Sequence, residues 1–336
     1  MFPLDDTAIL IINFNTCNET IRALSEFSHP DPKLKSNDVG TGRDLSIPFD
    51  IVVVDNASTD DSVEKIKSEF PQVTLIENKE NLGFASGCNI GLAQIDKSYV
   101  LIMNPDVIIK PEAIGELIKF LEYHPDAAAV GPMLEKPDCS LLPSVYRLPT
   151  LVQELGHLLN LKRFIPESLI KWFTNSAFHP IDNNVGADNH VNPCRGKSLC
   201  LPKFSGTNCL KSFLSRRFGQ LDPHNRVKRC EMLVGSCVLF RKGAIDDVGG
   251  FDEDFFLYYE EKDLFKRLGD KGYHTYFTPF AKAIHTIGAS SATVPDLASK
   301  ARYDSMMIYH GKHSGRGVNI ILRFLILIFK NSSLKL

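Results

Sequence analysis

The run Glu260-Glu261-Lys262-Asp263 places three carboxylates within four positions, directly after Phe255-Phe256-Leu257-Tyr258-Tyr259. Apolar bulk strips hydration from a carboxylate, and each negative charge raises the pKa of its neighbours. A carboxylate tuned in this way can serve as a general base near neutral pH. The same acids also suit a helix N-terminus, where the dipole favours negative charge, and Asp263 can cap or brace that helix. A second group is Asn104-Pro105-Asp106. Asp106 offers an oxygen ligand of the type that Mg²⁺ or Mn²⁺ prefers, and such ions keep coordination positions open for phosphate oxygens. Asn-Pro-Asp is also ordinary turn sequence. His285 precedes Gly288 and Ser290-Ser291, and it gains chemical meaning only if the fold carries it to Asp106.

These groups need a scaffold, and the first third of the chain supplies one. Residues 7–14 and 50–55 are continuous apolar runs of the kind that form strands buried on both faces. Further strands are expected at 73–76 and 99–103, with helices at 16–28, 61–69, 81–93 and 111–123. The Ser, Thr and Asp residues of Asn56-Ala57-Ser58-Thr59-Asp60-Asp61-Ser62 supply N-caps for the second helix. Strand and helix alternate, which implies an α/β fold with a mainly parallel sheet flanked by helices. In such sheets ligands bind at the carboxyl ends of the strands. Those ends carry Asn13 and Asn15, then Asp55, then Asn104 and Asp106. One polar strand end is a turn former; three successive ones point to a ligand.

Residues 136–230 break the rhythm, with many Pro, His, Asn and Cys and a weak helical pattern near 150–175. Order returns with a strand read over 232–240, a short helix over 244–248, the acidic helix to about 271 and a strand over 273–277. The expected divisions are 1–135 as a ligand-binding half, 136–230 as a divergent insertion, 231–290 as the second half of the same domain, which carries the acidic cluster, and 291–336 as a C-terminal helical tail.

Composition narrows the partners. The net charge of −2 argues against a polyanion binder, so no nucleic-acid partner is expected. From 195 to 229 there are nine Lys or Arg and one acid, Asp222. This stretch reads either as a solvated loop or as a contact for an anionic acceptor or a membrane surface. The apolar run 318–329 is too short to span a bilayer; it suits a packed terminal helix or one lying in the membrane interface. The N-terminus has no basic segment, and the apolar run Ala8–Ile12 is too short for a signal peptide. A cytoplasmic protein is expected, with peripheral contact at the inner face of the cell membrane through the basic stretch and the tail. The eight cysteines form no CxxC pair and read as free thiols.

The segments ILIINFN, IVVVDNASTDDS, NKENLGFASGCNIGL, YVLIMNPDV, EMLVGSCVLFRK and GGFDEDFFLYYEEKDLFKRL stand in that order. Together they closely resemble the family 2 glycosyltransferases of the GT-A fold, especially the bacterial rhamnosyltransferase-like branch. The resemblance covers about 7–135 and 230–290. It implies inverting, single-displacement transfer of a sugar from a nucleotide-sugar donor to a hydroxyl of a glycan or lipid-linked acceptor, with rhamnose from its deoxythymidine diphosphate as the expected donor. Carried over by position, Asp55 contacts the nucleobase and Asn13 and Asn15 line the same pocket. Asn81, Gly83 and Asn89 shape the nucleotide and diphosphate pocket, and Asn104 lies near the ribose. Asp106 binds the metal with His285 as a second ligand, and Gly235 and Ser236 border donor sugar and acceptor. Glu261 takes the place of the base, with Glu260 and Asp263 beside it. The family usually has Glu-Asp where this chain has Glu260-Glu261, so the base side chain is longer by one methylene, about 1.5 Å. Two other classes are compatible with parts of this pattern. One is a non-catalytic nucleotide-sugar-binding homologue. The other is a sugar nucleotidyltransferase, which needs a Gly-rich basic loop after the first strand, where this chain has Asn13-Phe14-Asn15-Thr16-Cys17-Asn18.

Overall fold

The computed structural model describes residues 4–28, 49–150, 226–286 and 295–314. The chain begins with β1 (Thr7–Asn13), α1 (Cys17–Ser28), β2 (Asp50–Asp55), α2 (Ser62–Glu69), β3 (Thr74–Glu77), α3 (Gly83–Leu92) and β4 (Tyr99–Met103). Every residue of β1 and β4 is buried, as continuous apolar runs in a sheet covered on both faces require. β1 pairs in parallel with β2 on one side and β4 on the other, and β2 pairs in parallel with β3.

The rest is β5 (Val107–Ile109), α4 (Pro111–Tyr123), β6 (Ala127–Glu135), β7 (Val145–Tyr146), β8 (Lys228–Cys230), β9 (Met232–Leu233), β10 (Cys237–Arg241), α5 (Lys242–Asp247), α6 (Glu260–Asp270), β11 (His274–His285) and α7 (Pro295–His313). The main sheet runs β3-β2-β1-β4-β10-β6-β11-β5, with β8 added to β11. The α/β class holds. The sheet is parallel through its first four strands and mixed beyond them, because β10 lies antiparallel between β4 and β6. One core packs α1 and α4 on one face, and a second packs α3, α5 and α6 on the other.

Three departures from the sequence reading have physical causes. The strand expected over 232–240 is two strands. β9 leaves the main sheet to pair with β7, and Val234-Gly235-Ser236 forms the break. β6 is a nine-residue strand although its Ala, Gly and Pro residues are poor strand formers; pairing with β11 and β10 imposes it. The strand expected over 273–277 continues to His285. A register shift between Thr278 and Lys282 accommodates Pro279, and the second half of the strand then pairs with β5. The expected helix near 150–175, most of the basic stretch and the apolar run 318–329 lie outside the described residues. Among the described residues no helix is long and apolar enough to cross a membrane. Cys17, Cys88, Cys139, Cys230 and Cys237 are free; burial pushes the thiols of Cys230 and Cys237 up to about 12.

Candidate active site

At the carboxyl end of β1, Asn13 is fully buried. Its amide nitrogen donates to Asp55 Oδ1 at 2.6 Å and Ser58 Oγ at 3.0 Å. Its oxygen accepts from the hydroxyls of Thr16 and Thr20, both at 2.7 Å. A side-chain amide has two donors and two acceptor sites, so Asn13 is fully engaged inside the protein. It organises the strand ends and does not line a pocket. Asp55 Oδ2 also accepts from Ser58 N at 2.9 Å. Asn15, in the left-handed region at φ 52°, accepts from Thr59 N at 2.7 Å.

Asp60 was not anticipated individually. Its two oxygens accept from Ser62 N at 3.1 Å and from Cys17 N at 2.9 Å, so one carboxylate ties the starts of α2 and α1 together. Asp61, the N-cap of α2, makes no side-chain cap bond. Both helix starts need acceptors for their free N–H groups, and the Ser/Thr/Asp-rich segment was the available signal.

The Asn81–Asn89 segment divides by role. Asn81 accepts from Gly83 N at 3.0 Å, which shapes a local turn. Gly83 has φ +85°, and a Cβ there would lie 2.2 Å from Phe256 O, so only glycine allows this approach. Phe84 N then donates to Phe256 O at 2.8 Å. Asn89 faces elsewhere: it bonds the backbone of Phe251 through both ends of its amide, at 2.9 Å each, and Glu253 Oε1 at 2.8 Å. Its expected place at the diphosphate is corrected to a clamp on the loop before α6.

The second half of the molecule brings the remaining candidates together. Asp106 follows β4 and is 5% exposed. His285 ends β11, which pairs with β5, so the two side chains meet: His285 Nε2 lies 3.3 Å from Asp106 Oδ1. Yet Asp106 Oδ1 is buried without a hydrogen-bond partner. Two lone-pair donors this close, unaligned for a mutual hydrogen bond, have the chemistry of two ligands converging on one cation. Backbone bonds hold the arrangement: Thr286 N donates to Asp106 O at 3.0 Å, Val107 N to Asn104 O at 3.2 Å and Asn104 N to Ser236 O at 2.9 Å. Among the described residues no cluster of three or more His, Cys, Asp or Glu could hold a metal ion, so such an ion needs ligands beyond this pair.

Ser236 leads to the acidic helix. Gly235 packs against Glu261 so closely that a Cβ on it would lie 3.2 Å from Glu261 Cβ and Cγ. α6 starts after Tyr258 and Tyr259, both left-handed at φ 65° and 68°. Such conformations cost on the order of 1–3 kcal/mol each in non-glycine residues and persist only where the surroundings impose them. Burial, and then the charge of Glu261, push the Glu260 carboxyl well above the usual range. Glu260 Oε2, Glu261 Oε2 and Ser236 Oγ are, like Asp106 Oδ1, buried without a partner. Asp263 differs: Arg267 Nε donates to its Oδ2 at 2.7 Å, and His313 Nε2 meets its Oδ1 at 2.7 Å. Its carboxylate braces the helix against Arg267 and against His313 of α7.

Known proteins resemble parts of this chain. The family described as glycosyl transferase family 2 matches residues 44–186, and glycosyl transferase family group 2 matches 205–304. The chain is 28% identical over 280 residues to the N-acetylglucosaminyl-diphospho-decaprenol L-rhamnosyltransferase of Mycobacterium tuberculosis, covering 80% of this chain and 76% of that protein. An uncharacterized glycosyltransferase of Haemophilus influenzae is 33% identical over 105 residues, 30% of this chain and 32% of its own length. Among solved structures, the chain resembles GalNAc-T7 with UDP, GalNAc and Mn²⁺, at TM-score 0.47 and 11% identity, covering 83% of this chain and 43% of that one. It also resembles the Pyrobaculum calidifontis mannosyltransferase with GDP-Man and Mn²⁺, at TM-score 0.45 and 13% identity, covering 97% and 81%. Likenesses as distant as these last two say nothing of substrate. The protein is a glycosyltransferase: family 2 glycosyl transferase sequences match two stretches of the chain, and it is similar to an L-rhamnosyltransferase.

Proposed function

We propose that this protein is a metal-dependent, inverting rhamnosyltransferase that moves rhamnose from its deoxythymidine diphosphate to a hydroxyl of a lipid-linked glycan. The observation that carries the reading is the convergence of Asp106 Oδ1 and His285 Nε2 beside the Ser236–Gly235–Glu261 contact. The donor and acceptor assignments rest on the relative in Mycobacterium tuberculosis, whose name specifies an L-rhamnosyltransferase and a diphospho-decaprenol acceptor.

In this reading Asp106 and His285 would hold Mg²⁺ or Mn²⁺. When bound, the ion neutralises charge growing on the diphosphate leaving group. Asp55 faces the nucleobase, supported by Asn13 and Ser58. Asn15, Asn81, Gly83 and Asn104 form the surrounding turns, and Gly235 and Ser236 lie beside the sugar. Glu261 accepts the acceptor hydroxyl proton. That oxygen forms the new bond to the anomeric carbon from the face opposite the diphosphate, the carbon–phosphate-oxygen bond breaks, and the configuration inverts. Glu260 lies deeper and burial favours its protonated form, so Glu261, half-buried beside Gly235, is the carboxylate an acceptor can reach. Residues up to 135 serve the donor and 231–290 the catalytic side. The insertion 136–230 and the terminal tail serve the acceptor at the inner membrane face.

A thermal-shift panel of nucleotide-sugars with and without Mn²⁺ or Mg²⁺, followed by transfer assays, tests the assignment. Ligands that bind only the folded state raise its melting temperature. A larger shift with deoxythymidine diphosphate rhamnose plus metal than with UDP- or GDP-sugars is expected. Equal shifts with and without metal would remove the ion from the proposal, and stabilisation by another nucleotide alone would remove the donor.

A further inference from the structure

The helix α7 lies outside the sheet, yet it packs onto the loop and helix that carry Glu261. Its Met306 and Tyr309 form a buried cluster with Phe255 and Tyr259, and the rings of Tyr259 and Tyr309 are 5.7 Å apart. Ser305 Oγ donates to Leu257 O at 2.9 Å, one residue before the left-handed pair Tyr258–Tyr259. At the far end of α7, Lys312 pairs with Asp252 and with Asp254, the latter at 2.6 Å. His313 meets Asp263 at 2.7 Å, with side chains 15% and 1% exposed. The contacts thus fall on both sides of the Tyr258–Tyr259 turn.

Asp263 follows Glu261 by two positions, about 200° around the helix, so the two carboxylates face opposite ways. Glu261 faces Gly235. Asp263 is held between Arg267, whose Nη1 donates to Val248 O at 2.7 Å and Gly250 O at 2.9 Å, and His313 on α7. Fixing one face of a helix fixes the rotation of the other. We infer that His313 is a positioning residue for sugar transfer: through Asp263 it sets the rotation of α6 and so aims Glu261 at the acceptor hydroxyl. His313 acts from the side of α6 opposite Glu261. Because the carboxylate only accepts, the imidazole Nε2–H is the donor in this contact.

The inference rests on the reading of Glu261 as base, and the experiment separates the two. Full-length His313→Ala, His313→Gln and Asp263→Asn are compared with Glu261→Gln for kcat, both KM values, nucleotide affinity and melting temperature. For His313→Ala, kcat is expected to fall about tenfold or more at temperatures well below its melting transition, since small misplacements of a reacting group carry penalties of this size. Nucleotide affinity should stay within about twofold, because the contacts of α7 named above all fall on residues 252–263, away from the ends of β1 and β2. His313→Gln, whose amide can donate to Asp263, should recover most of the loss, and the His313→Ala, Asp263→Asn double variant should be no slower than the slower single one. A kcat within about twofold of native in His313→Ala, or no recovery with Gln, overturns the inference. If His313→Ala does not fold, Ser305→Ala reads the same clamp from its other end: reduced kcat with native nucleotide affinity supports it, and native kcat overturns it. Native turnover in Glu261→Gln removes the base reading itself. Loss there with native turnover in His313→Ala removes only the role of His313.

Discussion

The ends of β1 and β2 and the region of Asp106, Ser236 and Glu261 are built on opposite principles. At the ends of β1 and β2, polar side chains satisfy one another. Asn13 uses its whole hydrogen-bonding capacity on Asp55, Ser58, Thr16 and Thr20. At the ends of β4 and β11 and the start of α6, Asp106 Oδ1, Ser236 Oγ, Glu260 Oε2 and Glu261 Oε2 are buried and unsatisfied. Native proteins leave few such atoms, and each calls for a reason. The first edge is a finished frame. The second keeps four buried polar atoms without partners, a pattern that costs stability and is met at sites that bind.

The comparison breaks most sharply at Asp106. Asp106→Ala is expected to lower kcat/KM by about 10³-fold, the scale of losing a main electrostatic stabiliser, and to abolish the metal dependence of donor binding in calorimetry. Near-native transfer by that variant would show that the unsatisfied oxygen is structural. Glu261→Gln should follow, with kcat down by about 10²–10⁴-fold as for loss of a general base and donor affinity retained. Glu261→Asp restores the side-chain length usual in the family. A rate loss in that variant, measured in the same transfer assay, indicates that Gly235 has set the geometry for the longer residue.

The frame should respond differently. Asn13→Ala strands buried partners and should destabilise the fold by about 1–3 kcal/mol, read as a lower melting temperature with or without donor. A variant that melts like the native protein but loses nucleotide binding would move Asn13 from the frame to the pocket. The smallest effect concerns Glu260. Its folded-state pKa lies above the unfolded value, through burial first and Glu261 second. Above the ordinary carboxylate range the folded form therefore keeps a proton that the unfolded chain gives up. The associated stability is fully present below that range and is lost as pH rises towards the raised value. Glu260→Gln should remove this slope, so its melting temperature relative to native should be higher at about pH 8 than at about pH 4. An unchanged difference between the two would mean that Glu260 is not held protonated by the fold.

Much of the fold was legible because the signals are local. β1, β2 and β4 are continuous apolar runs ended by polar residues, and α4 matches its expected limits at Pro111–Tyr123. β6 was not legible because its residues disfavour strands and only its neighbours make it one. The break at Val234-Gly235-Ser236 was hidden for the converse reason, since the residues around it favour an unbroken strand. Within the candidate site, residue type nominated side chains but not their partners. Asn89 looks like a ligand contact by position, and its partners across the fold make it a clamp; the brace already open to Asp263 is completed by Arg267 and His313.

The sequence by itself determined the family, the α/β alternation and the polar strand ends, because apolar period, turn chemistry and six ordered segments are properties of short stretches. Tertiary structure alone decided that His285 reaches Asp106, that Gly235 seats Glu261, and that α7 holds the far side of α6. The first pair is separated by 179 positions, bridged only when β11 pairs with β5. No local pattern encodes such a distance; it follows from burying both faces of one sheet.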